Sequence, residues 1–74
     1  MDLDNLVLMA NRIGQFFEAM PDRQEAVDGI ATHIRKFWEP RMRHELAAAI
    51  ADGRAGQLRP LVAEALAARP EVLA

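Results

Sequence analysis

Hydrophobic residues recur along the first part of the chain with the 3.6-residue period of an α-helix. A first helix is predicted over residues 4–19, with Asp2 or Asp4 available to accept the free N–H groups of its first turn. Its apolar residues cover an arc about 180° wide, whereas roughly 100° is typical of a surface helix. The arc contains Phe16, Met9, Met20, Ile13, Leu6, Phe17, Ala10, Leu3 and Val7. This helix therefore offers more apolar surface than its short neighbours easily cover.

Gly14 lies inside this apolar arc. A glycine within a helix costs about 1 kcal/mol of helix propensity. Two interpretations remain open: close approach of another helix to a position without a side chain, or a tolerated weak position.

A second helix is predicted over residues 23–38, because Pro21 ends the first helix and Asp22 caps the second. Glu25 follows three residues after Asp22, as in a capping box. The apolar arc of this helix contains Ala26, Val27, Ile30, Ala31, Ile34, Phe37 and Trp38. We expect Phe37 in the core. Trp38 lies at the edge of the arc, so core and interface positions are equally open for it.

Two further helices are predicted over residues 40–51 and 60–68, each with a proline in its first turn. Gly53 can take the left-handed conformation that ends a helix. The inward positions are Met42, Leu46, Ala49 and Ile50 in the third helix, and Leu61, Val62, Ala65 and Leu66 in the fourth. Pro70 ends the fourth helix, and residues 71–74 are expected to form a loose tail. The sequence thus predicts an all-α fold, a small bundle of three main helices plus a short C-terminal helix, in one domain over residues 1–74.

The composition argues against catalysis by this chain. Among its 74 residues there is no cysteine and no serine, so neither nucleophile is available. His33 and His44 are eleven positions apart, which is not the spacing of a helical metal clip. We therefore expect no catalytic, cofactor-binding or metal-binding residues here.

Charge and hydropathy limit the possible partners. The net charge of −2 gives no general attraction to nucleic acid or anionic lipid. The N-terminal segment lacks the basic region of a secretory signal, and no apolar run approaches the roughly 20 residues that span a bilayer. We expect a cytoplasmic protein that binds neither nucleic acid nor membrane.

Basic residues cluster around Trp38 with only one acid, Glu39, between His33 and His44. The cluster is Arg35, Lys36, Arg41 and Arg43. Arg41 and Arg43 fall in the first turn of a helix, where the helix dipole disfavours positive charge. Contact with another chain would compensate for this, although solvation or pairing with Glu39 and Glu45 is the alternative.

These observations predict one docking surface on the first helix and the basic segment. Its residues are Met9, Ile13, Phe16, Phe17, Met20, His33, Trp38, Arg41 and Arg43. For His33, a hydrogen-bonded structural role is favoured over ligand binding.

Five pieces of the chain together resemble the delta subunit of NAD-dependent formate dehydrogenase. They are Met9-Ala10-Asn11-Arg12-Ile13-Gly14, Phe16-Phe17-Glu18, Pro21-Asp22-Arg23, His33 and Phe37-Trp38-Glu39-Pro40-Arg41-Met42-Arg43. The last piece is the most specific, and the stretch from Met9 to Arg43 that contains all five is about half of the chain. The alanine-rich C-terminal third carries no distinctive motif.

The resemblance implies a non-catalytic accessory subunit of a cytoplasmic enzyme that oxidises formate to carbon dioxide and reduces NAD. The cofactors of such a complex are a molybdenum or tungsten pterin guanine dinucleotide, iron–sulfur clusters and FMN, all on other subunits. The implied partner is the large catalytic (alpha) subunit, with beta and gamma subunits in the same complex. Two alternatives remain: a transient maturation factor that helps insert the pterin cofactor, and a stand-alone homodimer.

Overall fold

Four α-helices followed by one short 3-10 helix form the described part of the chain. The structure, a computed structural model, describes residues 2–74. The helices are α1 (Leu3–Phe17), α2 (Arg23–Phe37), α3 (Pro40–Ala51) and α4 (Pro60–Ala68), and the 3-10 helix is Pro70–Leu73. The predicted all-α fold class is confirmed, and each α-helix begins and ends within two residues of its predicted range.

Aspartates begin the first two helices, as the sequence predicts. Asp2 Oδ1 accepts the Asp4 N–H at 3.1 Å, and Asp22 Oδ1 accepts the Gln24 N–H at 2.8 Å. Such caps satisfy N–H groups that have no partner inside the helix. Helix α1 ends earlier than predicted, because the Met20 N–H bonds to the Phe17 carbonyl at 3.0 Å and closes a tighter turn before the proline.

Gly53 ends α3 in the left-handed conformation, with φ 74°. Its N–H bonds to the Ile50 carbonyl at 3.2 Å, and the Arg54 N–H bonds to the Ala49 carbonyl at 2.8 Å. These two bonds form a Schellman motif. The predicted stop signal is therefore confirmed.

The core lies where α2 packs against α1 and α4, with α3 and the 3-10 helix completing it. Its largest fully buried side chains are Leu6, Ile30, Ile34, Leu46 and Val62. The predicted inward residues of α4 are all buried, whereas Ile50 of α3 is 40% exposed.

Helix α4 crosses α1 at Gly14. A Cβ placed on Gly14 would lie 2.5 Å from Val62 Cγ2, closer than real Cβ contacts. The absence of a side chain therefore lets the two helices approach, and this decides between the two interpretations of Gly14.

Polar residues of α1 hold the segment that leads into α4. Asn11 Oδ1 accepts the Arg59 N–H at 2.8 Å, and Asn11 Nδ2 donates to the Gln57 carbonyl at 3.0 Å. The Arg59 guanidinium donates to both carboxylate oxygens of Glu18, at 2.7 and 2.8 Å. This hydrogen bonding lowers the pKa of Glu18 and raises that of Arg59.

Two further ion pairs join α2 to α4 and its end. Arg23 pairs with Glu64, which raises the pKa of Arg23, and Arg69 pairs with Asp28. All four side chains are largely exposed, so each pair contributes little stability. Together with the pair of Arg59 and Glu18, they connect α4 and its flanking residues to α1 and α2.

The expected core position of Phe37 is wrong. Phe37 is 70% exposed, whereas Trp38 is 6% exposed and belongs to the core. Helix α2 ends at Phe37, and Trp38 takes extended φ and ψ values of −88° and 136°. Trp38, the first residue beyond the helix, is the aromatic side chain that fills the core at this point.

The expected loose tail over residues 71–74 is also wrong. Residues Pro70–Leu73 form the 3-10 helix, with Val72 and Leu73 buried. The Arg43 Nη1 donates to the Val72 carbonyl at 3.3 Å. The chain turns back after α4, so that the 3-10 helix packs against α2 and α3. Val72 and Leu73 thereby cover a part of the core between these two helices.

We predict that Gly14→Ala lowers the free energy of unfolding by about 1–2 kcal/mol. The new methyl group collides with Val62, and this overpacking outweighs the gain of about 1 kcal/mol in helix propensity. Urea unfolding measures the change. Gly56→Ala is the control, because nothing lies within 4 Å of its added Cβ. In a Val62→Ala background the cost of Gly14→Ala should shrink; an equal cost in both backgrounds would contradict the helix contact.

We predict that Glu18→Gln removes a stabilisation that depends on pH. Arg59 lowers the pKa of Glu18 below its ordinary value of 4.5 in the folded chain. The stabilisation is therefore complete above pH 4.5 and is lost as pH falls through the lowered value. Urea unfolding of both proteins should differ at pH 7 and converge towards pH 3. Glu71→Gln, outside any ion pair found among residues 2–74, is the control. A constant difference between wild type and Glu18→Gln at all pH values would contradict this.

Candidate protein-interaction surface

Two phenylalanines expose most of their side chains on neighbouring helices. Phe16 of α1 is 71% exposed, and Phe37 at the end of α2 is 70% exposed. Each contacts a second ring. Phe16 packs edge-on against Phe17 with centroids 5.1 Å apart, and Phe37 packs against His33 at 4.8 Å. We call these four residues the aromatic face.

Gly29 of α2 joins the two halves of the aromatic face. A Cβ on Gly29 would lie 2.7 Å from Phe17 Cδ1, so the ring of Phe17 lies directly over the α2 backbone. Phe17, His33 and Phe37 then line one shallow depression with Gly29 at its floor. A glycine at this position is what permits a ring from α1 to pack flat across α2.

Three other predicted docking residues continue the apolar surface along α1. Met9 and Ile13 are partly buried against the core, and Met20 is 38% exposed. Met9, Ile13 and Phe16 are spaced four and three residues apart, so they lie on one side of the helix. Met20 lines a second depression with Phe17, beyond the end of α1. Of the wide apolar arc predicted from the sequence, Phe16 and Met20 remain exposed, while the other residues are buried or partly buried against the core.

Two positive charges lie beside the aromatic face. Lys36 lines the same depression as Phe37, and Arg12 precedes Phe16 by one helical turn. Both are exposed. Among residues 2–74 neither takes part in an ion pair. The acid that lines this depression, Asp28, is neutralised by Arg69.

The structure does not bring the remaining predicted docking residues to this face. Trp38 is buried in the core and offers almost no surface. Arg41 is exposed on α3, but Arg43, two residues on, turns to the other side of the helix and bonds to the Val72 carbonyl. Arg43 Nε is buried and has no hydrogen-bond partner within residues 2–74. The hydrogen bond to Val72 shows that Arg43 contacts its own chain, whereas the sequence pattern predicted contact with another protein.

A third concave region was not predicted from the sequence. It is an apolar groove of about 710 Å³ between the end of α3, the loop before α4, and the C-terminal 3-10 helix. Ile50, Leu58, Leu66 and Leu73 line it together with alanines and glycines. The alanine content of the C-terminal third is the only sequence signal, and alanine alone does not separate a groove from a packed core.

The described residues offer no site for a metal cofactor. Within residues 2–74, no three His, Asp or Glu side chains gather closely enough to hold a metal ion. The chain also has no cysteine to ligate an iron–sulfur cluster. Separately, every helix in the described part of the chain is too short or too polar to cross a bilayer.

Comparison with known proteins finds one matching protein family. The family model described as NADH-dependant formate dehydrogenase delta subunit FdsD matches residues 5–66. The matched range includes the whole aromatic face and extends from α1 into α4. No curated protein and no solved structure matches the chain significantly. The resemblance stated from the short motifs is confirmed.

We predict that Gly29→Ala rearranges the aromatic face. The added methyl group occupies the space of the Phe17 ring, which is only partly buried and must move. We expect changed aromatic proton NMR shifts for Phe16 and Phe17, with a loss of stability of about 1–2 kcal/mol at most. Gly56→Ala is again the control, and its aromatic spectrum should match that of the wild type. Unchanged Phe17 shifts in Gly29→Ala would show that the ring does not lie over α2.

Proposed function

Because this chain belongs to the family of NADH-dependent formate dehydrogenase delta subunits, we propose that it is a non-catalytic accessory subunit. It docks on the large catalytic subunit and stabilises it or helps to assemble it. Formate oxidation and NAD reduction then take place on other subunits of a cytoplasmic complex. Those subunits carry the molybdenum or tungsten pterin guanine dinucleotide, the iron–sulfur clusters and the FMN.

The observation that carries the docking proposal is the exposure of Phe16 and Phe37, at 71% and 70%. Burying a phenylalanine side chain contributes about 1.5–3 kcal/mol, which a chain of this size needs for its own stability. Leaving two of its three phenylalanines outside the core is therefore costly unless another surface covers them. Aromatic residues are also among those enriched in interface hot spots.

The contacts of the aromatic face support the same proposal. Phe17 packs over Gly29, so the face is already shaped in the isolated chain and does not have to form on binding. A rigid, preformed surface loses less conformational entropy when a partner covers it. Residues Met9, Ile13 and Met20 extend the surface along α1 and would enlarge the contact.

The non-catalytic role is supported by the side chains that the chain offers. Serine and cysteine are missing, and the groove of about 710 Å³ is lined by apolar residues and glycine. A reaction site needs polar or titratable groups that converge on a substrate. The carboxylates of Glu18, Asp28 and Glu64 are instead engaged with arginines on the surface.

We predict that a Phe16→Ser, Phe37→Ser double variant fails to co-purify with the large subunit when both are expressed together. Both side chains are exposed, so the isolated variant should stay folded, which circular dichroism checks. Loss of two hot-spot rings should weaken binding by at least roughly tenfold. The measurement is the amount of variant retained on a tagged large subunit, relative to wild type.

The chain offers a matched control for this experiment. Leu8 and Ile50 are also exposed, at 48% and 40%, but lie outside the aromatic face. A Leu8→Ser, Ile50→Ser variant should be retained like the wild type. Equal retention of the two double variants would show that the aromatic face is not the docking surface. Wild-type chain found only on cofactor-free large subunit, and never in active enzyme, would favour the maturation-factor alternative.

A further inference from the structure

We propose that the aromatic face recognises a partner surface that is apolar at its centre and carries carboxylates at its edge. This rests on the proposed function, because it specifies what the large subunit presents to this chain. The inference comes from the charges around the four rings, which the family match does not describe.

Two positive charges border the aromatic face from different helices. Lys36 lines the depression formed by Phe17, His33 and Phe37, and Arg12 lies one turn before Phe16. Neither is in an ion pair with another described residue, and both are exposed. They are free to contact an acid on another molecule.

Asp28, the acid that lines the depression, is already paired with a cation of the same chain. The carboxylate of Asp28, which lines the same depression, accepts from Arg69 and from the Gln24 amide. Glu18, just after Phe17, accepts hydrogen bonds from Nε and Nη2 of Arg59. The depression therefore presents the positive charge of Lys36 without an unpaired carboxylate among its lining residues, although the whole chain has a net charge of −2.

This charge pattern argues against a second copy of the chain as the occupant. In a two-fold symmetric dimer the same patch meets itself, so each copy would need acids on this face to meet Arg12 and Lys36. Glu18 and Asp28 are engaged with arginines of their own chain. Like charges brought together across an interface repel each other, whereas carboxylates on a different partner would pair with Arg12 and Lys36.

The positions of Arg12 and Lys36 predict their kinetic role. Both lie at the exposed rim and not under the rings, so they steer the approach of the partner more than they hold the finished complex. Rim charges of this kind change the association rate and its dependence on salt. The phenylalanines, which are covered on binding, govern the dissociation rate.

The test compares two charge-reversal variants with equal net charge. Arg12→Glu with Lys36→Glu changes the rim of the face, and Arg35→Glu with Arg54→Glu changes exposed arginines outside it. Association and dissociation rates of each purified chain are measured on immobilised large subunit, at low and at physiological salt. We expect roughly tenfold slower association for the Arg12, Lys36 variant at low salt, a smaller effect at higher salt, and less than about twofold for the control.

Equal slowing of both variants would overturn the proposal, because net charge alone would then explain the effect. Binding that needs Phe16 and Phe37 but is indifferent to Arg12 and Lys36 would overturn the acidic-rim partner and leave the proposed function standing. A wild-type chain that does not bind the large subunit would overturn both. Light scattering that shows an isolated dimer, dissociated by Phe16→Ser, would assign the face to a second copy.

Discussion

The close packing of α4 on α1 at Gly14 is the contact on which the rest of the molecule depends. Val62 reaches the α1 backbone there, and Asn11 and Arg59 hold the start of α4 in place. This contact fixes the rotation of α1 about its own axis. Positions two apart in a helix differ by about 200°, so a buried Gly14 directs Phe16 away from the core. The surface that we assign to partner binding is thus a geometric consequence of how α4 is packed.

The C-terminal segment has a similar influence on α3. Val72 and Leu73 close the core from one side, and the Val72 carbonyl accepts a hydrogen bond from Arg43. That bond explains a positive charge in the first turn of α3, where the helix dipole disfavours it. An arginine that looks misplaced in the sequence can therefore serve the fold. Of the two arginines in that turn, only Arg41 is left exposed to solvent.

Small residues fill much of this interior, while two of the largest apolar side chains lie outside it. Ala10, Ala26, Ala49 and Ala65 are buried, whereas Phe16 and Phe37 are exposed. A chain that used its phenylalanines only for its own stability would have the reverse arrangement. The distribution agrees with the proposed docking of the aromatic face on another chain.

Local chemistry, readable from the sequence, determined the helices and their ends. Asp22 accepts hydrogen bonds from N–H groups in the first turn of α2, Pro40 and Pro60 begin helices, and Gly53 has a positive φ. Each of these effects depends only on residues close in the chain. The periodic pattern also identified the inward side of α4 and the wide apolar arc of α1. The motifs between Met9 and Arg43 indicated the family.

Only the tertiary structure decided which apolar residues are covered. Periodicity gives directions around one helix axis, but it does not say where the neighbouring helices lie. The edge of α1 nearest Gly14 contacts α4, while Phe16 at the opposite edge is 71% exposed. Phe37, at the last position of α2, is exposed, and Trp38, the first residue in extended conformation, is buried. The sequence placed both in the apolar arc, and only contacts with the rest of the chain decide which of the two is covered. Burial depends on contacts between segments far apart in the chain, and those contacts are absent from any local pattern.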